Sequence, residues 1–197
     1  MIVLGLTGSI GMGKSTTAGF FREAGVPVWC ADEAVHRLYA PGGGGSAAIA
    51  ALAPAAAREG AVDREALRQA VLADPGLLRR IEAAIHPLAA ADRAAFLARA
   101  RAAGAALAVC DIPLLFETGA ETALDRVLVV TAPAEAQRAR VLERPGMTEA
   151  ALAAILARQL PDAEKRARAD YVIDTALGRD HARAAVQALI RDLAGAP

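Results

Sequence analysis

Apolar positions in this chain follow two rhythms. Short unbroken runs occur at Ile2 to Thr7, Pro27 to Cys30, Ala106 to Ile112, Val127 to Thr131 and Tyr171 to Ile173. Runs of that length without alternation predict strands buried on both faces. Between them the apolar residues recur at helical spacing. Lys14 to Ala24 predicts a helix closed by Gly25, and Asp32 to Tyr39 and Pro133 to Glu143 predict two more. Thr148 is placed to cap the next helix, which ends before Pro161, and Asp180 to Leu193 predicts a closing helix. Strands alternating with helices imply a parallel sheet covered on both faces.

Residues 47–103 break the alternation and show only helical periodicity. Asp63 is positioned to cap one helix, Asp74-Pro75 to start another, and Pro87 to interrupt the pattern and begin a further helix ended near Gly104. The block reads as a helical insertion into the sheet-forming chain. Ahead of it stands Pro41-Gly42-Gly43-Gly44-Gly45-Ser46, which predicts a flexible joint between the core and this helical block. Long alanine runs reinforce the helical reading, because alanine gives up no side-chain entropy in a helix.

Composition narrows the partners. Hydrophobic residues make up 55% of the 197 residues, ample for a buried core in one globular unit. Lys and Arg together number 22, balanced by 22 Asp and Glu. That balance lacks the basic excess that displaces counterions from a duplex, but leaves room for a local cationic site on a small phosphorylated ligand. Cys30 and Cys110 have no metal-type spacing and are too few for a disulfide framework. The N-terminus lacks a basic leader, and no apolar segment of about twenty residues suggests a membrane span. A cytoplasmic protein is expected.

Chemistry enters at Gly8-Ser9-Ile10-Gly11-Met12-Gly13-Lys14-Ser15-Thr16, a full match to G-x-x-x-x-G-K-[ST]. The match follows a predicted strand and opens a predicted helix, as a phosphate-binding P-loop must. Gly8, Gly11 and Gly13 allow the backbone to fold back so that successive N–H groups converge on an anion, and the helix aims its positive end at the same point. In such a loop Lys14 places its ammonium on the β- and γ-phosphates, and Ser15 offers a hydroxyl ligand to Mg²⁺. The chain contains no asparagine, so the N-K-x-D segment of guanine recognition is absent. It is also too short for a large motor ATPase. A small-molecule kinase remains.

Further segments point to one family. They are Cys30-Ala31-Asp32, Ile85-His86-Pro87 and Asp111-Ile112-Pro113-Leu114-Leu115-Phe116-Glu117, then Arg140 and Arg144 before Met147-Thr148, Gln159, and Ala169 to Thr175. In this order, from about residue 2 to residue 190, the set resembles dephospho-CoA kinase. The resemblance implies a three-layer P-loop α/β fold like that of nucleoside-monophosphate kinases. Its core would be 1–46, 104–139 and 166–197, with an acceptor-binding helical region over 47–103 and a lid over 140–165. It also implies Mg-ATP as phosphoryl donor and the ribose 3′-hydroxyl of dephospho-CoA as acceptor; a monomer is expected, with an oligomer as the alternative.

By that resemblance Asp32 is the carboxylate that orients the acceptor hydroxyl and takes its proton; on its own it also reads as a helix N-cap. Arg140 and Arg144, one helical turn apart, are expected to neutralise charge on the transferring phosphoryl group. Asp111, ending a strand, suits a carboxylate near the Mg²⁺ waters or a strand-end cap. Glu117 is expected at the acceptor or in a structural role, and His86-Pro87 as a helix start shaping the acceptor pocket. The chain departs from the family at Cys30 and at Pro145, where an acid is frequent. Strand adjacency would bring the sulfurs of Cys30 and Cys110 near one another, with two inert buried thiols as the alternative. Rival readings are a nucleoside-monophosphate kinase, and a nucleotide-binding switch without chemistry.

Overall fold

The computed structural model describes residues 1–195. In chain order the elements are β1 (Ile2–Thr7), α1 (Lys14–Glu23), β2 (Val28–Cys30), α2 (Ala31–Tyr39), α3 (Gly44–Leu52), β3 (Ala57–Arg58), β4 (Ala61–Val62), α4 (Arg64–Ala73), α5 (Pro75–Ala102), β5 (Leu107–Asp111), β6 (Arg126–Thr131), α6 (Ala134–Leu142), α7 (Glu149–Leu156), α8 (Asp162–Ala167), β7 (Tyr171–Asp174) and α9 (Arg179–Ala194). They fall into two compact units, one of residues 1–29 together with the described residues from 100 onward and the other of residues 30–99.

The first unit is built on a five-stranded sheet in the order β2-β5-β1-β6-β7. The β1 strand runs parallel to both neighbours, with Leu6 opposite Asp111 on one side and Leu128 on the other; β6 and β7 are also parallel. One face carries Leu4, Leu6, Val109, Leu128 and Val130, and packs against Phe20 and Phe21 of α1 and Val186 and Leu189 of α9. The opposite face is as dry. A Cβ placed on Gly5 would lie 2.5 Å from Leu124 and 2.7 Å from Leu115. Burial on both sides explains why these strands read as continuous apolar runs. Because the strands are parallel, Thr7, Asp111, Thr131 and Asp174 all end at one edge of the sheet, where α/β proteins place their ligands.

The expected stop signals act as read. Gly25 (φ 78°) closes α1: its N–H bonds Arg22 O at 3.0 Å and the next N–H bonds Phe21 O at 3.0 Å, the paired pattern that satisfies the last helical carbonyls. Asp63 caps α4 through Glu65 N and Ala66 N, and Thr148 caps α7 through Ala151 N.

The second unit has its own core of Ile49, Ala56, Leu67, Leu77, Ile81 and Ile85, with Leu38 and Tyr39 against it. Three readings of this region need correction. Residues 57–62 form a two-stranded antiparallel ribbon, not helix. Its turn carries Glu59 and Gly60 at φ 50° and 78°, the left-handed pair that a tight hairpin demands. Pro87 neither breaks α5 nor starts a helix, so His86-Pro87 is no helix start; the proline sits within 28 continuous helical residues. Its lost hydrogen bond and ring clash cost about 3 kcal/mol, a cost offset by burial of Leu77, Ile81 and Ile85 along one stripe of α5. The glycine run is not a loose joint either. Gly44 and Gly45 are the first residues of α3, and a Cβ on Gly43 would lie 2.4 Å from the carbonyls of both Arg37 and Leu38.

Packing therefore separates adjacent glycines. Gly43→Ala should destabilise the protein by roughly 1–3 kcal/mol, because backbone must shift. Gly44→Ala, whose Cβ meets nothing closer than 4.0 Å, should stabilise it by about 0.5 kcal/mol. Urea unfolding of the two variants checks this, and a flexible linker would show neither effect.

Candidate active site

The loop between β1 and α1 begins where the strand ladder ends. Gly11 (φ 77°) and Gly13 (φ 85°) occupy left-handed backbone, and a Cβ on Gly11 would strike Val141 at 2.5 Å. Gly13 is the N-cap of α1 and no side chain caps that helix. The first N–H groups of α1 thus face the loop's hollow as orphan donors, the arrangement that attracts an anion.

Three consecutive loop carbonyls are each engaged by a side chain. Gln137 Nε2 donates to Ile10 O at 2.8 Å, and Arg140 Nη1 lies 3.4 Å from Gly11 O. The Thr175 hydroxyl donates to Met12 O at 3.0 Å, with Thr131 O the alternative acceptor at 3.2 Å. In a trans peptide the carbonyl and the following N–H point in opposite directions. Holding these carbonyls therefore fixes the N–H groups of Gly11, Met12 and Gly13. That of Met12 closes on Ser9 O at 3.1 Å, while those of Gly11 and Gly13 have no acceptor among the described residues.

Lys14 Nζ donates to Asp111 Oδ1 at 2.6 Å, across the start of α1 and the end of β5. Asp111 is only 3% exposed, so the contact balances a buried carboxylate. The sequence offered Asp111 either as a carboxylate near magnesium or as a strand cap; the structure gives it Lys14 as partner.

Arg140 and Arg144 line one cavity of about 330 Å³ with Gly13, Thr16, Gly178 and Arg179. They are not equivalent. Arg140, half-buried on α6, also spends Nη1 on Thr175 Oγ1 and Nη2 on Thr175 O, both at 2.9 Å. Arg144 lies just past the end of α6 and is exposed. Asp32 belongs to the second unit, exposed on the first turn of α2; Cys30 is the N-cap there, and no side chain caps the helix. Its carboxylate is therefore not the cap that the sequence also allowed. Cys30 and Cys110 are both buried, and β2 and β5 are neighbours as expected.

Comparison with known proteins agrees with this geometry. The dephospho-CoA kinase family model matches residues 2–179. The chain belongs to the dephospho-CoA kinase family. It is 60% identical over 195 residues to dephospho-CoA kinase from Mesorhizobium japonicum, covering 99% of this chain and 98% of the relative. With the enzyme from Cereibacter sphaeroides it shares 63% over 187 residues, 95% of this chain and 93% of that one. A crystal structure of a Thermus thermophilus protein superposes with a TM-score of 0.85 at 35% identity, covering 98% of both chains. Enzymes of this family phosphorylate dephospho-CoA in the last step of coenzyme A biosynthesis, using a nucleotide as phosphoryl donor.

Several side chains at this dephospho-CoA kinase site escaped the sequence reading. Thr175 was visible only as the last residue of a family segment, and neither Arg179, one residue before the predicted closing helix, nor Gln137 was singled out. Lys165 is the most hidden. It lies in a stretch given no element from the sequence, yet it is 0% exposed, with Nζ 2.8 Å from Glu117 Oε1. The contact is an ion pair by distance, but its direction is too poor for a hydrogen bond, and Glu117 Oε2 is buried without a partner. Glu117 Oε1 also accepts from Leu160 N at 2.8 Å. Burial pushes the Glu117 carboxyl up, but the Lys165 ammonium and the Leu160 N–H together outweigh it and hold the group below its ordinary value of 4.5. Glu117 thus serves the structural role, tying residues 160–165 to the end of the Pro113-Leu114-Leu115-Phe116 turn.

A depressed carboxyl contributes stability above its unfolded pKa and loses it as pH falls through the folded one. Glu117→Gln should therefore be less stable than the parent at pH 7, where Lys165 is left buried without its counter-charge. The gap should narrow as pH drops below about 4.5. Chemical unfolding across pH 3–8 would show it; a gap independent of pH would contradict the ion pair.

Proposed function

We propose that this protein transfers the terminal phosphoryl group of ATP, as its magnesium complex, to the ribose 3′-hydroxyl of dephospho-CoA, acting as a monomer in the cytoplasm. The observation that carries the donor side is the set of N–H groups at Gly11, Gly13 and the start of α1, left without acceptors beside a cavity walled by Arg140, Arg144 and Arg179. Such a surface suits a triphosphate with its nucleoside part in the cavity. Gly8, Met12 and Thr16 complete the cradle.

Each side chain then has a task. Lys14 exchanges Asp111 for β- and γ-phosphate oxygens, a short swing between two anions. The donor set fits a magnesium ion carried by the nucleotide: the exposed Ser15 hydroxyl would hold it, with the buried Asp111 carboxylate as a nearby acceptor. No cluster of three or more His, Cys, Asp or Glu side chains that could cage a metal occurs among the described residues. Magnesium, when bound, neutralises charge on the phosphate oxygens.

Asp32 accepts the hydrogen bond of the acceptor hydroxyl, aims its oxygen and takes its proton as the new bond forms. Residues 47–103 hold the acceptor, and 140–165 act as the lid. Arg140, tethered to Thr175, is a fixed wall of the nucleotide site. Arg144, exposed and untethered, meets the transferring phosphoryl group when the lid closes.

Purified protein with ATP and dephospho-CoA should yield coenzyme A, detected by mass. Asp32→Asn should lose about 10²–10⁴ in kcat while binding ATP as the parent does; near-full turnover would remove Asp32 as base. Arg144→Ala should fall mainly in kcat, whereas Arg140→Ala should rise mainly in KM for ATP. Steady-state kinetics would separate the two arginines, and equal effects on both parameters would refute the division.

A further inference from the structure

The Ile10 peptide units are held from both sides by amide side chains that approach from different elements. Gln137, buried on α6, donates through Nε2 to Ile10 O at 2.8 Å. Gln159, between α7 and α8, accepts through Oε1 from Ile10 N at 3.1 Å. One glutamine acts as donor and the other as acceptor on a single residue of the phosphate loop.

Peptide planarity makes this pair consequential. With Ile10 N–H committed to Gln159, that group is turned away from any anion in the loop. With Ile10 O committed to Gln137, the Gly11 N–H is aimed the opposite way and stays without a protein acceptor. Gly11 itself cannot enforce this orientation, because its φ of 77° lies in a region where glycine moves freely. An unclamped loop would sample peptide flips that present a carbonyl to the phosphates.

We propose that Gln137 and Gln159 are positioning residues that lock the Ile10 peptide units and thereby preset the Gly11 N–H for phosphate binding. Gln159 adds a second consequence. Its neighbour Leu160 is bonded to Glu117, and Asp162 accepts from Thr131 Oγ1 at 2.8 Å, so the C-terminal root of the α7 segment is fastened to the core. The hinge of the proposed lid then lies before Gln159, and the clamp stays closed while α7 moves.

The proposal rests on the kinase reading, and opposite hydrogen-bond polarity supplies its test. ATP binding by calorimetry and KM and kcat for ATP are measured for Met and Glu variants at both positions. Gln159→Met should weaken ATP binding about 3- to 10-fold, and Gln159→Glu should restore it, since a carboxylate still accepts from Ile10 N–H. At Gln137 both Met and Glu should weaken binding by a similar factor at pH 8, since neither donates to Ile10 O. Gln137→Glu alone should regain affinity as the pH falls toward about 4.3, the ordinary glutamate value, where its carboxyl becomes protonated and donates. Asp162, Arg166 and Asp174 line the same cavity as Gln137, and Arg140 follows it on α6. These groups are present in parent and variants alike, so each variant is compared with the parent at the same pH.

A merely structural role would lower thermal stability in all four variants without this pattern of rescue. Equal behaviour of the two Glu variants across pH, or unchanged ATP affinity in both Met variants, would overturn the clamp. If the parent binds ATP but does not phosphorylate dephospho-CoA, the functional reading fails while the binding data still decide the clamp. If the parent binds no ATP, both fall.

Discussion

Main-chain amides grip a phosphate only if the carbonyls between them are engaged elsewhere, and this constraint organises the first unit. A loop of small residues has no intrinsic reason to present N–H rather than C=O to its hollow. Here the choice is imposed from outside: Gln137, Arg140 and Thr175 occupy three successive carbonyls. Those side chains come from α6 and from the segment after β7, so the sheet order β1-β6-β7 is what brings them round the loop. The phosphate site is therefore a property of the packed unit, although its sequence signature is local.

Charge obeys the same logic. The chain has no net charge, yet Lys14, Arg140, Arg144 and Arg179 all stand around one loop and one cavity. Elsewhere several arginines are paired on the surface, as in Arg37–Asp92, Arg80–Asp74 and Arg138–Glu149. Such exposed pairs contribute little to stability. The Lys14–Asp111 contact differs from these, since it balances a carboxylate that burial would otherwise destabilise.

Legibility in the sequence tracks how local each signal is. The strands of the sheet, the Gly25 stop, the Asp63 and Thr148 caps and the phosphate loop were readable because each depends on a few adjacent residues. The ribbon at 57–62 was missed because its strands are two residues each and its turn uses Glu59-Gly60 instead of asparagine. Pro87 misled because a local penalty of about 3 kcal/mol is small beside the burial of a whole helical stripe. Gly43 misled for the opposite reason: four glycines look like freedom, but one is required by a close backbone contact that only the fold creates. Gln137 and Lys165 carry no local signal, because their partners lie 127 and 48 residues away.

Arg140 and Arg144 show where spacing stops being informative. Positions 140 and 144 predict one helical face and hence one shared role. The helix ends between them, at Leu142, and that boundary divides their chemistry. Arg140 sits on a rigid element with its guanidinium committed to Thr175 and Gly11, so it cannot follow a moving phosphoryl group without breaking bonds that shape the loop. Arg144 has left the helix and carries no such commitment. A residue that stabilises a transient charge must be free until that charge develops, whereas one that organises a binding surface must be fixed beforehand. By that criterion the end of α6 converts a pair that looks redundant into a fixed element and a responsive one.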